Sequence, residues 1–272
     1  MSPTQEHPVS RHKQGQANLQ LENPPVVETS VGFHFAKLEG WHLLRQGLLW
    51  GKFRSEYPEL EILPMIVQAV TPQTLQFDMN SPILRTGFAD KTRTQLVQIQ
   101  DGLLLHNWRK TPESPRYKRY DTIRARLGSD WATFRAFLHE ESLKEPVVLR
   151  CEMSYFNHLV RNEDWKDFED LSETFSVWKG FPESTSYGTA QIAAFNVMHQ
   201  LDSGIVNVVA QPGIRSSDGK EVIQFSLTSS VKPKTSDDEE LFRCLDECHE
   251  NAQRAFFDFT TDKARERWRQ TK

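Results

Sequence analysis

The chain has 272 residues, of which 38% are hydrophobic and 26% charged, and it carries a formal net charge of −4. That is apolar material enough for one large domain or two of average size, and it excludes a fibrous or wholly disordered chain. The negative balance argues against a generic affinity for nucleic acid, and no apolar run approaches the ~20 residues that a membrane-spanning helix needs.

The first twenty residues, MSPTQEHPVSRHKQGQANLQ, lack the apolar core of a secretory signal, and 1–22 reads as a disordered tail. Three cysteines, Cys151, Cys244 and Cys248, are too few for a disulfide framework. Both features predict a cytoplasmic protein.

After Asn23, Pro24 and Pro25, the stretch from Val26 to Phe35 predicts a strand, with Val27, Val31, Phe33 and Phe35 opposite Glu28, Ser30 and His34. Trp41, Leu44, Leu48 and Leu49 recur at helical spacing, and the helix they predict closes at Tyr57 because Pro58 disfavours helical geometry there. Gly47 and Gly51 each weaken that helix by ~1 kcal/mol relative to alanine unless a neighbouring element approaches closely there, a tight contact with a sheet being one such reason. Short β-like runs follow at 65–70 and 75–79. Thr92 to Gln100 and Leu103 to Arg109 then flank Asp101 and Gly102, the dipeptide of a type I′ hairpin turn. From Tyr120 to Glu140 one stripe of Ile123, Leu127, Trp131, Phe134 and Leu138 predicts a helix lying on a sheet.

The second half opens with a strand from Pro146 to Val160. Val147, Leu149, Cys151, Met153 and Tyr155 form its apolar face, and Arg150, Glu152 and Ser154 its polar one. A shift of 122 places Val27, Thr29, Val31 and Phe33 over Leu149, Cys151, Met153 and Tyr155. The acidic stretch 161–173 predicts a loop or short helix, and 181–188 a turn-rich linker. Strands are predicted at 189–200, 204–211 and 221–230. A capping box of Ser236 and Glu239 opens a helix presenting Leu241, Leu245, Cys248, Ala252, Ala255 and Phe256 to a core, and a basic tail runs over 263–272. The prediction is an α+β protein of two similar halves, 23–145 and 146–272, packed as one unit and related by internal duplication. Each half reads strand, connection, antiparallel strands, long helix.

Complete catalytic signatures do not emerge. There is no dinucleotide fingerprint and no nucleophile elbow, and 213–220 has the wrong glycine spacing for a phosphate loop. His139 with Glu140 and His249 with Glu250 lack the second histidine of a zinc helix, since Leu143 and Gln253 stand there. Cys244 and Cys248 share the apolar face of their helix and read as core. No metal and no cofactor is expected. Asp164, Trp165 and Lys166, with Glu152 upstream, form the acid and lysine pattern of a metal-dependent hydrolase or nuclease, the main alternative. A second alternative is nucleic-acid binding through the basic stretch 109–126, using Arg116, Lys118, Arg119 and Arg124. Charged groups within a strand must face water, pair across the sheet or line a cavity. The candidate binding residues are therefore Arg150, Glu152, Tyr155, Asn157 and His158 with Glu28, either as a cross-strand ion pair or as a pocket under the long helix. The leading reading is a binding or interaction protein, with a protein or small ligand as partner, rather than an enzyme.

Asn23 to Glu28, Tyr57 with Pro58, Arg150 with Tyr155, Phe156 and Asn157, and His249, Phe256, Thr260 and Trp268 together resemble a sporadically distributed family of uncharacterised bacterial proteins. The resemblance spans almost the whole chain after the tail, through short motifs in a common order. It departs at Tyr117 to Tyr120, where the family pattern has a tyrosine-proline pair. It implies a bacterial origin and an accessory role in defence or toxin control, and supplies no catalytic residue.

Overall fold

A computed structural model describes residues 21–64, 85–181 and 190–269. The expected tail, the strands at 65–70 and 75–79, and most of the linker at 181–188 lie outside the described residues. Nine described strands, β1 (Val26–Phe35), β2 (Glu59–Leu63), β3 (Arg85–Ala89), β4 (Gln95–Gln100), β5 (Leu103–Arg109), β6 (Val148–Val160), β7 (Phe195–Gln200), β8 (Gly204–Ile214) and β9 (Glu221–Val231), form one antiparallel sheet. Their order is β2-β3-β4-β5-β1-β6-β9-β8-β7. The helices are α1 (Leu43–Phe53), α2 (Tyr120–Glu140), α3 (Leu171–Thr174), α4 (Asp238–Phe259) and α5 (Asp262–Arg269).

The α+β fold of two similar halves is visible in that order. In each half the first strand pairs with the last, β1 with β5 and β6 with β9, and the remaining strands continue outward to an edge. A long helix, α2 or α4, follows each set. The halves join where β1 pairs with β6, and there Val31 faces Met153, the same offset of 122 that aligns the two strands in sequence. Helices α2 and α4 cover one face, α2 over β1 and β5 and α4 over β6 and β9. Beneath them Phe33 and Phe35 pack on Trp131 and Phe134, and Phe225 packs between Phe175 and Phe256. Burial of such rings is the main stabilising term, roughly 25 cal/mol per Å² of apolar surface.

Several local expectations are corrected. The apolar face of β6 does not begin at Val147, because between His34↔Arg150 and Phe35↔Val148 the register shifts by one residue. Leu149 is the extra residue of a β-bulge, so Val147 and Leu149 are exposed while Val148 is buried. Val27 occupies the equivalent break in β1, between Val26 and Glu28. Helix α1 buries Gln46, Leu49 and Phe53, leaving Leu44 and Leu48 exposed. Gln46 can turn inward because its amide donates to the Ile99 carbonyl at 3.3 Å. No described residue lies within 4 Å of a Cβ placed on Gly47 or Gly51, so the expected close approach there is not found.

Gly102 has φ 83° while Asp101 stays out of the positive-φ region, so the hairpin turn is not type I′. The turn is docked instead: Asp101 Oδ1 accepts from the Leu38 backbone N–H at 3.2 Å and the Gly102 carbonyl accepts from Phe35 at 2.9 Å. The N-cap of α4 is Asp237, accepting from the Glu240 N–H at 3.0 Å, and Ser236 instead accepts from the Val148 N–H at 2.9 Å, tying α4 to the start of β6. The basic tail is largely helix α5, with Ala264, Arg265 and Trp268 buried.

Candidate functional site

The two-residue period of β6 divides the six predicted binding residues between opposite faces. Cys151, Met153, Tyr155 and Asn157 point beneath the helices, whereas Arg150, Glu152, Ser154 and His158 point to the other face, on the side of Glu28. A single pocket under the long helix, holding all six, is therefore corrected to two separate places.

The face away from the helices carries a concavity of about 880 Å³. Strands β1 and β6 supply its floor through Glu28, Ser30, Glu152, Ser154 and His158, and β3 to β5 add Arg85, Gln98, Asn107 and Arg109. Arg215 and Asp218, from the turn between β8 and β9, form a rim and pair with each other at 2.6 Å. Most charges here are matched. Glu28 accepts from Asn107 at 2.7 Å and lies 3.4 Å from Arg109, which also pairs with Glu61 at 2.8 Å. Glu152 pairs with Arg150 and with His34, each at 3.2 Å. Burial works against the Glu152 carboxylate, but the His34 contact and the Arg150 charge hold it below the usual range. Of the two partners expected for Arg150, Glu28 or Glu152, the ion pair is made with Glu152, within β6, and the cross-strand contact of Glu152 is with His34 of β1.

Two groups in this concavity are left unsatisfied. Arg85 donates to Gln98 Oε1 at 2.7 Å, has no carboxylate at ion-pair distance among the described residues, and keeps its buried Nε unpaired. His158 has a buried Nδ1 without a partner, and burial, followed by the nearby Arg215 charge, depresses its pKa, so the ring is neutral at pH 7. Buried polar groups are normally hydrogen-bonded, and two orphans in one concavity are a reason to look for a ligand.

Tyr155 and Asn157 belong to a different environment. The Tyr117 hydroxyl donates to Tyr155 at 3.3 Å, the Tyr155 hydroxyl is hydrogen-bonded to His249 Nδ1 at 2.6 Å, and Tyr120 stacks on the His249 ring at 4.0 Å. Tyr120 in turn donates to Asp246 at 2.7 Å, which Arg124 also contacts at 2.7 Å. No local signal in the sequence marks this network, because its members come from β6, the start of α2 and the middle of α4.

Some residues of the two alternative readings are engaged elsewhere. Asp164 accepts from the Val160 N–H at 2.7 Å and from Trp268 Nε1 at 3.1 Å, which makes it a clamp between the end of β6 and α5. Among the described residues no three His, Cys, Asp or Glu side chains gather as a metal-holding group. In the basic stretch Arg109, Arg124 and Arg126 pair with acids, and Arg119 donates to the Leu21 carbonyl. All three cysteines are buried, and burial raises each thiol, Cys244 to about 11. Iodoacetamide at pH 8 should therefore label none of them until denaturant unfolds the chain; prompt labelling of the native protein by mass spectrometry would contradict this burial.

Comparison with protein-family models, with curated proteins and with solved structures finds no match for this chain. Among the described residues no helix is long and apolar enough to cross a membrane.

Proposed function

We propose that this is a non-enzymatic binding protein whose open sheet face receives an extended, mixed-charge segment of a partner protein. The observation that carries this reading is the half-buried Arg85, which among the described residues has no carboxylate partner and keeps its Nε unpaired, in a polar concavity where Arg109 and Arg215 are each matched by acids. From β3 to β6 the concavity crosses five adjacent strands, which at about 4.8 Å per step is roughly 19 Å. That is a span suited to a peptide rather than a single small ion. Glu28, Glu152 and Asp218 line it alongside Arg85, Arg109 and Arg215. A uniformly anionic nucleic-acid backbone would meet those carboxylates, whereas a peptide bearing both signs matches them. In this reading a partner carboxylate sits against Arg85 and a donor meets His158 Nδ1. The bacterial origin, the cytoplasmic location and the accessory role in defence or toxin control rest on the motif resemblance and composition. The common strand order of the halves supports descent from one duplicated unit.

Selection from a random-peptide library on the full chain should enrich mixed-charge peptides with at least one carboxylate. Arg85→Gln should weaken the selected peptides about tenfold, equivalent to ~1.4 kcal/mol, as read by fluorescence anisotropy. Equal affinity for Arg85→Gln, or tighter and strongly salt-dependent binding of single-stranded DNA, would overturn the proposal.

A further inference from the structure

We propose that the cavity lined by the segment entering β1, by β6, by the start of α2 and by the middle of α4 is a second binding site, for an uncharged single-ring aromatic compound carrying an N–H or O–H donor. It lies on the helix-covered face, so it is independent of the sheet-face reading. Its volume is about 160 Å³. A cavity of about 150 Å³ in another protein holds one benzene ring, which sets the scale of the ligand.

The polarity of the ligand follows from Asn157. This side chain is fully buried, and its Nδ2 donates to the Phe225 carbonyl at 2.9 Å while Oδ1 has no partner. The opposite amide orientation would set Oδ1 against that carbonyl, so the unpaired atom is an acceptor. The hydroxyls nearby are already engaged. Tyr117 donates to Tyr155, Tyr155 is bonded to His249 Nδ1, and Tyr120 donates to Asp246. Burial depresses the His249 pKa to about 4 and keeps the ring neutral, so the cavity adds no cation. What the orphaned Asn157 Oδ1 lacks is a donor, and the ligand supplies it.

The walls set the remaining chemistry. Val26, Leu227, Ala252 and Phe256 are apolar and suit a flat ring. Arg119 and Asp121 line the same cavity with opposite charges, so neither sign of ion gains enough there to offset its loss of water. A neutral ligand is the one that fits.

The test titrates the full-length chain with phenol, toluene and benzoate at pH 7, following binding by ligand-observed NMR. Phenol should bind at least tenfold more tightly than toluene, and benzoate should not bind. Gln253 is exposed and lines the cavity, so Gln253→Trp narrows access without disturbing the core and should abolish phenol binding. Asn157→Leu should erase the preference for phenol over toluene. The proposal is overturned if phenol does not bind, if toluene binds as well, if phenol binding survives Gln253→Trp, or if a folded Asn157→Leu keeps the tenfold preference. Where Asn157→Leu does not fold, the Gln253→Trp result decides.

Discussion

Gly32→Ala is expected to leave little or no folded protein, although it adds one methyl group. Gly32 lies in the middle of β1, between Leu105 of β5 and Glu152 of β6. A Cβ there would stand 2.1 Å from the Leu104 carbonyl oxygen and 2.8 Å from the Leu105 Cα. Both are backbone atoms, so no rotamer change relieves the contact, and β5 must move away from β1. That movement breaks the pairing on either side, Val31↔His106 and Phe33↔Leu104, on the strand that joins the two halves. Overpacking a core usually costs about 1–3 kcal/mol, but here a whole ladder is displaced, and a loss beyond about 4 kcal/mol is expected against a total of ~5–15 kcal/mol. Gly213→Ala provides the control, because no described residue lies within 4 Å of its Cβ position and its backbone is not in the left-handed region. It should shift stability by no more than ~0.5 kcal/mol. Soluble yield and urea unfolding followed by circular dichroism decide the matter. A Gly32→Ala chain that unfolds at the wild-type urea midpoint contradicts the geometry.

The tolerance difference between these glycines is invisible to hydrophobic patterning, and the same holds for much of what the pattern misplaced. Helix α2 is found at Tyr120–Glu140, as its apolar stripe predicts, because a long amphipathic helix over a sheet is a strong periodic signal. Strand β6 follows its alternation from Cys151 onward and fails before it, since a bulge adds a residue without changing residue types. On α1 the leucines that mark the buried side by periodicity are exposed, and a glutamine is buried there, donating to the Ile99 carbonyl. Tertiary hydrogen bonding decided that face, and composition does not encode it.

The candidate site was legible in part. Period two already separates Tyr155 and Asn157 from Arg150, Glu152 and His158, so placing them in one pocket overlooked information the strand contained. Their partners were not legible. Arg85 reaches the concavity through β3 and His249 reaches Tyr155 through α4, contacts that no spacing along the chain specifies. Asp130 carries a sequence signal of its own. It sits three residues after Leu127 and four before Phe134, on the apolar stripe itself, and a charge in that position needs a partner.

That partner gives the second large expected effect: Asp130→Ala should destabilise the chain by about 2–5 kcal/mol, because two buried groups, the His106 imidazole and the Tyr57 hydroxyl, lose their shared acceptor at about 1–3 kcal/mol each. Asp130 is 2% exposed and His106 not at all. Asp130 Oδ2 lies 2.6 Å from His106 Nδ1, and the Gln95 side-chain amide lies 2.7 Å from His106 Nε2, so both ring nitrogens are hydrogen-bonded. Tyr57 adds a third link, donating to Asp130 Oδ1 at 3.2 Å. Burial, and then the Asp130 charge, push the Tyr57 phenol far above its ordinary range, which keeps it a donor. The cluster fastens α2 to β4, β5 and the segment after α1. Alanine at 130 leaves the imidazole and the phenol buried without their acceptor. Tyr57→Phe removes only one neutral donor and should cost about 1 kcal/mol. Asp130→Leu combined with His106→Leu removes both partners together, so it should cost much less than the sum of the two single changes, because each single change alone leaves a buried polar partner without its hydrogen bond. Urea midpoints of the four chains measure that coupling. Single and double changes that simply add would mean that Asp130 and His106 do not act as a pair.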